Sequence, residues 1–199
     1  VMELDKGWKT WLCDKSAYGH TDNAPTVVDI PHNWDDYYGY RQLTHGNLHG
    51  TAMYEKTFTL DNSQFPISDS SFGKRYFLRF EGVGTYATVT LNGKDFGRHP
   101  VGRTTLTLDV TEALKPGENR LVVKAEHPEM IADMPWVCGG CSSEWGFSEG
   151  SQPLGIFRPV VLEATDEIRI EPFGVHIWND DKAGTVFVET EVKNYGKTA

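Results

Sequence analysis

The chain has 199 residues, 39% of them hydrophobic and 24% charged, and a formal net charge of −9. That is the size and balance of one generous β-domain, or of one domain plus part of another. An acidic chain with no Lys/Arg cluster excludes a phosphate-binding nucleic-acid surface. No apolar run of about 18 residues is present to span a membrane.

Residues 1–12 (VMELDKGWKTWL) lack the basic start and apolar core of a signal peptide, although a chain whose signal has been removed would begin the same way. A long irregular stretch, 31–50, comes before the first clear strand. There Ala52, Tyr54, Phe58 and Leu60 carry most of the apolar weight between Glu55, Thr57 and Thr59. Tyr76-Leu78-Phe80, Ala87-Val89-Leu91, Leu106-Leu108-Val110 and Leu121-Val123-Ala125 repeat the period of two. Each reads as a half-buried strand with one face on a core. Asn92-Gly93 predicts a type I′ turn, which needs φ > 0 at both positions, leading into a short strand around Asp95-Phe96. Thr111–Leu114 predicts a single helical turn, capped by Asp109 or Thr111 and ended by Pro116-Gly117. No segment keeps a 3.6-residue period for three turns, so the expected class is all-β, an antiparallel sandwich.

A second long irregular stretch, 127–155, follows, and loops of this length are seldom kept without a use. Sandwich loops gather at the two ends, where binding surfaces are built. Near residue 165 the pattern restarts. Ile168-Ile170 and Thr185–Val192 read as a new hairpin, and thirty-odd residues cannot close a second sandwich. The chain therefore divides into a domain over 1–165 and an incomplete β-unit over 166–199.

Five pieces in register resemble the N-terminal sugar-binding domain of glycoside hydrolase family 2, the group of β-galactosidases, β-glucuronidases and β-mannosidases. Leu4-Asp5-Lys6-Gly7-Trp8 is similar to its opening, and Asp29-Ile30-Pro31-His32-Asn33-Trp34 to its LPHDW motif. Leu78–Val83 with Val89–Lys94, Gly97 and His99 follows, then Asp109-Val110-Thr111 with Leu114–Asn119, and last Gly155-Ile156-Phe157-Arg158-Pro159-Val160. The resemblance covers residues 4 to about 164. It implies a jelly-roll, galactose-binding-like sandwich over 1–165 and the first strands of an immunoglobulin-like domain over 166–199. It also implies a parent enzyme that hydrolyses β-glycosidic bonds and is periplasmic or secreted.

Retaining glycosidases use two carboxyl groups a few ångströms apart. In this family both are glutamates on a (β/α)₈ barrel, and 1–199 has no alternating βα units, so no catalytic residue is expected in this chain and no cofactor. The implied partner is a β-linked oligosaccharide at the interface with that barrel, and a homo-oligomer is compatible with such a domain. The resemblance assigns two residues to loops that reach the sugar pocket: Glu149, counted back from Gly155, and Asn47. The alternative for both is a solvated loop residue. Trp136, Trp145 and Phe147 either pack on the sandwich or form a sugar-stacking platform. Cys138-Gly-Gly-Cys141 lacks the second ligand pair that zinc needs, with Cys13 and His127 the only distant candidates, and no helix pattern follows it to support redox work. His32, His45, His49 and His127 lack the spacing of a shared metal site, so no metal is expected. Pro31, Trp34, Phe80 and Val89 read as core or turn residues, Asn92 as a turn former, and Gly82, Gly93 and Gly117 as suppliers of backbone freedom. Arg158 reads as a holder of a buried carboxylate or of carbonyls, and not as a contact to substrate. An autonomous carbohydrate-binding module and a purely structural or interaction domain are the two alternatives to a pocket wall.

Overall fold

The computed structural model describes residues 1–13, 24–35, 37–38, 41–42, 48–61, 73–128 and 153–196. Fourteen strands form among them, all paired antiparallel. The alternating segments became strands for the expected reason: one face of each has a core to cover.

The larger sheet has six strands in the order β3-β2-β6-β11-β8-β9. These are β2 (Trp8–Leu12), β3 (Thr26–Val28), β6 (Gly50–Leu60), β8 (Val83–Leu91), β9 (Lys94–Gly102) and β11 (Gly117–His127). Its long central pair, β6 with β11, is in register from Leu60↔Gly117 to Gly50↔His127. The smaller sheet has the order β1-β12-β7-β10, from β1 (Met2–Glu3), β7 (Lys74–Phe80), β10 (Leu106–Asp109) and β12 (Val160–Asp166). Two ribbons stand apart: β4 (Tyr37–Tyr38) with β5 (Arg41–Gln42), and β13 (Ile168–Asp180) with β14 (Thr185–Asn194). Between the two main sheets lies the core, with Trp8, Tyr54, Leu78, Phe80 and Leu121 all sealed from solvent.

Asn92 and Gly93 adopt φ of 52° and 87°, as a type I′ turn requires. The strand after the turn is not short: β9 continues to Gly102, because β8 offers it a ladder from Leu91↔Lys94 through Tyr86↔Pro100 to Val83↔Gly102. The single turn at Thr111 forms, with the Asp109 carboxylate accepting from the Thr111 N–H and hydroxyl. Gly82 is needed for space rather than for backbone freedom, since a Cβ there would stand 2.9 Å from the Phe157 ring.

One departure from the alternation is informative. Phe77 points to the outer face of the small sheet, yet it is 1% exposed. The root of the β13–β14 ribbon covers it: the Arg169 guanidinium lies 4.0 Å above its ring, and Tyr195 meets it edge-on at 5.0 Å. Beyond that root the ribbon is uncovered. Its register places Ile168, Ile170, Val175, Ile177, Val186, Val188 and Val192 on one face, and each is about half exposed or more.

Candidate functional site: the loop end of the sandwich

Residues 32–35 leave the core at one end of the sandwich and are clamped between the start and the close of the domain. The Ile30 N–H donates to the Asp5 carbonyl at 2.8 Å, and the Asp5 carboxylate accepts from the Val160 N–H at 3.0 Å. Just beyond, the His32 N–H donates to the Ile156 carbonyl at 2.8 Å and the Trp34 N–H to the Leu154 carbonyl at 2.9 Å. Three pieces that are far apart in sequence thus close on each other here.

Beneath them sits a buried polar group of side chains. His32 Nδ1 lies 2.8 Å from the Tyr54 hydroxyl, and Trp34 Nε1 donates to Thr10 Oγ1 at 3.2 Å. The His32 ring meets both Trp34 and Tyr54 edge-on. Burial pushes His32 below the ordinary histidine range and holds the Tyr54 phenol well above its own, although Thr10, Trp34 and the Ile156 backbone offer that oxygen hydrogen bonds. At physiological pH both groups are therefore neutral.

Asp35 completes the group. Its Oδ1 accepts from the Leu48 N–H at 2.7 Å and its Oδ2 from the Leu154 N–H at 2.9 Å. On the far side of Leu48, its carbonyl meets Nδ1 of the buried His127 at 3.1 Å, and the His127 ring lies 4.9 Å from that of His49. Asp35 was not legible as a special residue in the sequence. The available signal was a carboxylate placed directly after a turn-forming Pro-His-Asn-Trp run.

A second feature is a cleft of about 360 Å³ between the outer face of the small sheet and the ribbon, lined by Arg79, Glu163, Thr165, Arg169, Ile170, Pro172 and Phe173. Arg79 is engaged there by Glu163 at 2.9 Å and by Glu81 at 2.5 Å.

The residues expected to reach sugar (Asn47, Trp136, Trp145 and Glu149) lie outside the described residues, as do Phe147, Cys138, Cys141 and His45. Among the described residues no group of three or more His, Cys, Asp or Glu side chains is placed to hold a metal. Arg158 Nη1 donates to the Arg103 carbonyl at 3.0 Å, so it holds a carbonyl, but at the exposed surface and not in the interior. Asn92 is a turn former that also works through its side chain, accepting from the Arg120 N–H and donating to Asn119 Oδ1.

The family profile described as glycosyl hydrolase 2 galactose-binding domain-like matches residues 34–134, a span that starts in the clamped Trp34 segment and takes in most of the larger sheet. This chain belongs to that family. The sandwich is accordingly a galactose-binding-like one, the N-terminal domain of family 2 glycosidases, related to β-glucuronidases and β-galactosidases. A β-glucuronidase of Bacteroides fragilis is 33% identical over 146 residues, which cover 73% of this chain and 18% of that protein. A β-galactosidase of Bacteroides ovatus is 27% identical over 209 residues, covering 98% and 22%. Among solved structures, a β-glucuronidase from an uncultured Clostridium is similar at TM-score 0.64 and 26% identity, over 96% of this chain and 33% of that one. A β-glycosidase from Bacteroides vulgatus shares the fold at TM-score 0.67 and 24% identity, over 99% and 24%. The chain thus spans about a fifth of the length of these curated relatives.

Proposed function

We propose that this domain is the non-catalytic scaffold of a β-glycosidase, with its loop end forming one wall of the pocket that holds the terminal sugar. The carrying observation is the clamp at that end. The segments 36–47 and 129–152 enter and leave the sandwich beside one buried polar group, so whatever they carry is presented from a fixed base. Asn47 and Glu149 are the residues assigned to the sugar, with Trp136 and Trp145 as a stacking surface. The two carboxylates of the hydrolysis belong, in this reading, to a barrel domain of the parent and not to residues 1–199, which alone are inactive. The parent is β-galactosidase-like in this reading. The names of the relatives give equal support to a β-glucuronidase.

The β13–β14 ribbon is, in the same proposal, the start of an immunoglobulin-like domain from residue 166. Its uncovered aliphatic face supports this, because a two-stranded ribbon is marginal by itself and needs a second layer. An exported parent, periplasmic or secreted, belongs to the reading too, and cell fractionation tests it.

Calorimetric titration of the chain with galactose, glucose, mannose and glucuronate, repeated with Glu149→Ala, is the experiment. Selective binding by the chain alone, lost in the variant, points to a self-contained module. No binding alone, with a raised KM when Glu149→Ala is placed in the parent enzyme, is the result expected of a pocket wall. An unchanged KM in the parent rejects it.

A further inference from the structure

We infer that Asp35 is a positioning residue that locks the two loop roots of this domain into one register. The Leu48 N–H belongs to the peptide joining Asn47 to Leu48, and the Leu154 N–H to the peptide joining Pro153 to Leu154. Both donate to the same carboxylate, one to each oxygen, across separations of 13 and 119 residues. Neither peptide has a ladder partner for that N–H, since Leu48 precedes β6 and Leu154 precedes β12. Both side chains are buried, at 5% and 0% exposure, and Asp35 is itself buried. Two buried donors must find acceptors, and bonds to an ionised carboxylate are the strong kind.

The remaining groups make the arrangement two-sided. The Leu154 carbonyl accepts from the Trp34 N–H, so residues 34–35 grip Leu154 twice, its C=O by the Trp34 backbone and its N–H by the Asp35 carboxylate. The Leu48 carbonyl meets His127 at the end of β11, so that root is held between Asp35 and the central strand pair. A carboxamide cannot replace the carboxylate. It offers one acceptor oxygen, and its NH₂ would confront the second N–H donor to donor.

The functional consequence rests on the pocket-wall reading: a loosened register frees the roots at Leu48 and Leu154, where the segments 36–47 and 129–152 rejoin the sandwich, and sugar affinity falls. The test uses amide hydrogen exchange by NMR on the chain, wild type against Asp35→Asn and Asp35→Ala, together with KM of the parent enzyme carrying Asp35→Asn. Exchange at Leu48 or Leu154 is expected to speed up about tenfold or more, while Val123 and Leu78 at the sheet centres stay as they were. KM should rise with kcat less affected. Unchanged exchange at both roots overturns the assignment, and so does an equal speeding of all four amides, which would mean general destabilisation. If Asp35→Ala does not fold, Asp35→Asn alone decides. Local loosening without any change in KM keeps the lock and rejects the pocket wall.

Discussion

The Tyr54 hydroxyl and His32 Nδ1, 2.8 Å apart, join the middle of β6 to the turn that follows Ile30. Tyr54 is fully buried and His32 partly so, and this pairing carries a pH dependence. Burial lowers the folded-state pKa of His32 from 6.5. The unfolded chain therefore takes up a proton at a pH where the folded one does not, and stability rises with pH in that interval. The contribution is complete above pH 6.5 and is lost as the pH falls from there toward the lower folded value. Urea midpoints measured from pH 7.5 to 5 should fall for the wild type and fall less steeply for His32→Gln.

Gly155 packs against the same pair. A Cβ at this position would stand 2.4 Å from the Tyr54 hydroxyl oxygen and 2.7 Å from the His32 carbonyl, at a φ of 144° that side chains rarely adopt. Gly155→Ala is expected to cost about 2–4 kcal/mol, read as a lower urea midpoint with an unchanged slope. In Gly155→Ala/Tyr54→Phe, part of the loss should be recovered, because the closest clashing atom is gone.

Asn119, the last residue of the Leu114–Asn119 piece, holds the hairpin ends together. It is fully buried. Its Nδ2 donates to the Lys115 and Gly117 carbonyls at 2.8 and 2.9 Å, and its Oδ1 accepts from Asn92 Nδ2 and the Lys115 N–H. Asn119→Leu orphans all four partners and should cost about 2–4 kcal/mol, whereas Asn119→Asp should lose the two carbonyl contacts and rank between. Thermal unfolding of the three chains gives the order.

The ribbon face gives a prediction whose size depends on what lies beyond residue 199. In this chain Ile177 is 67% exposed and Val188, directly across from it, 60%. Ile177→Lys should change the stability of the 199-residue chain by no more than about 0.5 kcal/mol and reduce binding of a hydrophobic dye. In a longer chain that completes a second sandwich, the same substitution should cost about 2–4 kcal/mol by burying a charge. Equal small effects in both would reject the immunoglobulin-like reading of 166–199.

Much of the fold was written into the sequence, because strand formation and facing depend on neighbours two residues away. The period of two marked β6, β7, β8, β10 and β11, and the Asn92-Gly93 pair fixed its own turn through local backbone sterics. The length of β9 was hidden: Lys94–Gly102 has no apolar alternation of its own and is a strand only because β8 supplies the ladder. Phe77 was hidden as well, since its burial comes from Arg169 and Tyr195 arriving on the outer face of the small sheet. At the loop end, Pro31 to Trp34 could be recognised as a motif, but the role of Asp35 could not. A carboxylate becomes a lock only when two distant N–H groups converge on it, and no local pattern encodes that meeting of Leu48 with Leu154. Local periodicity and turn chemistry thus determined the strands and their faces, and tertiary packing alone decided which buried polar groups meet and what they hold in place.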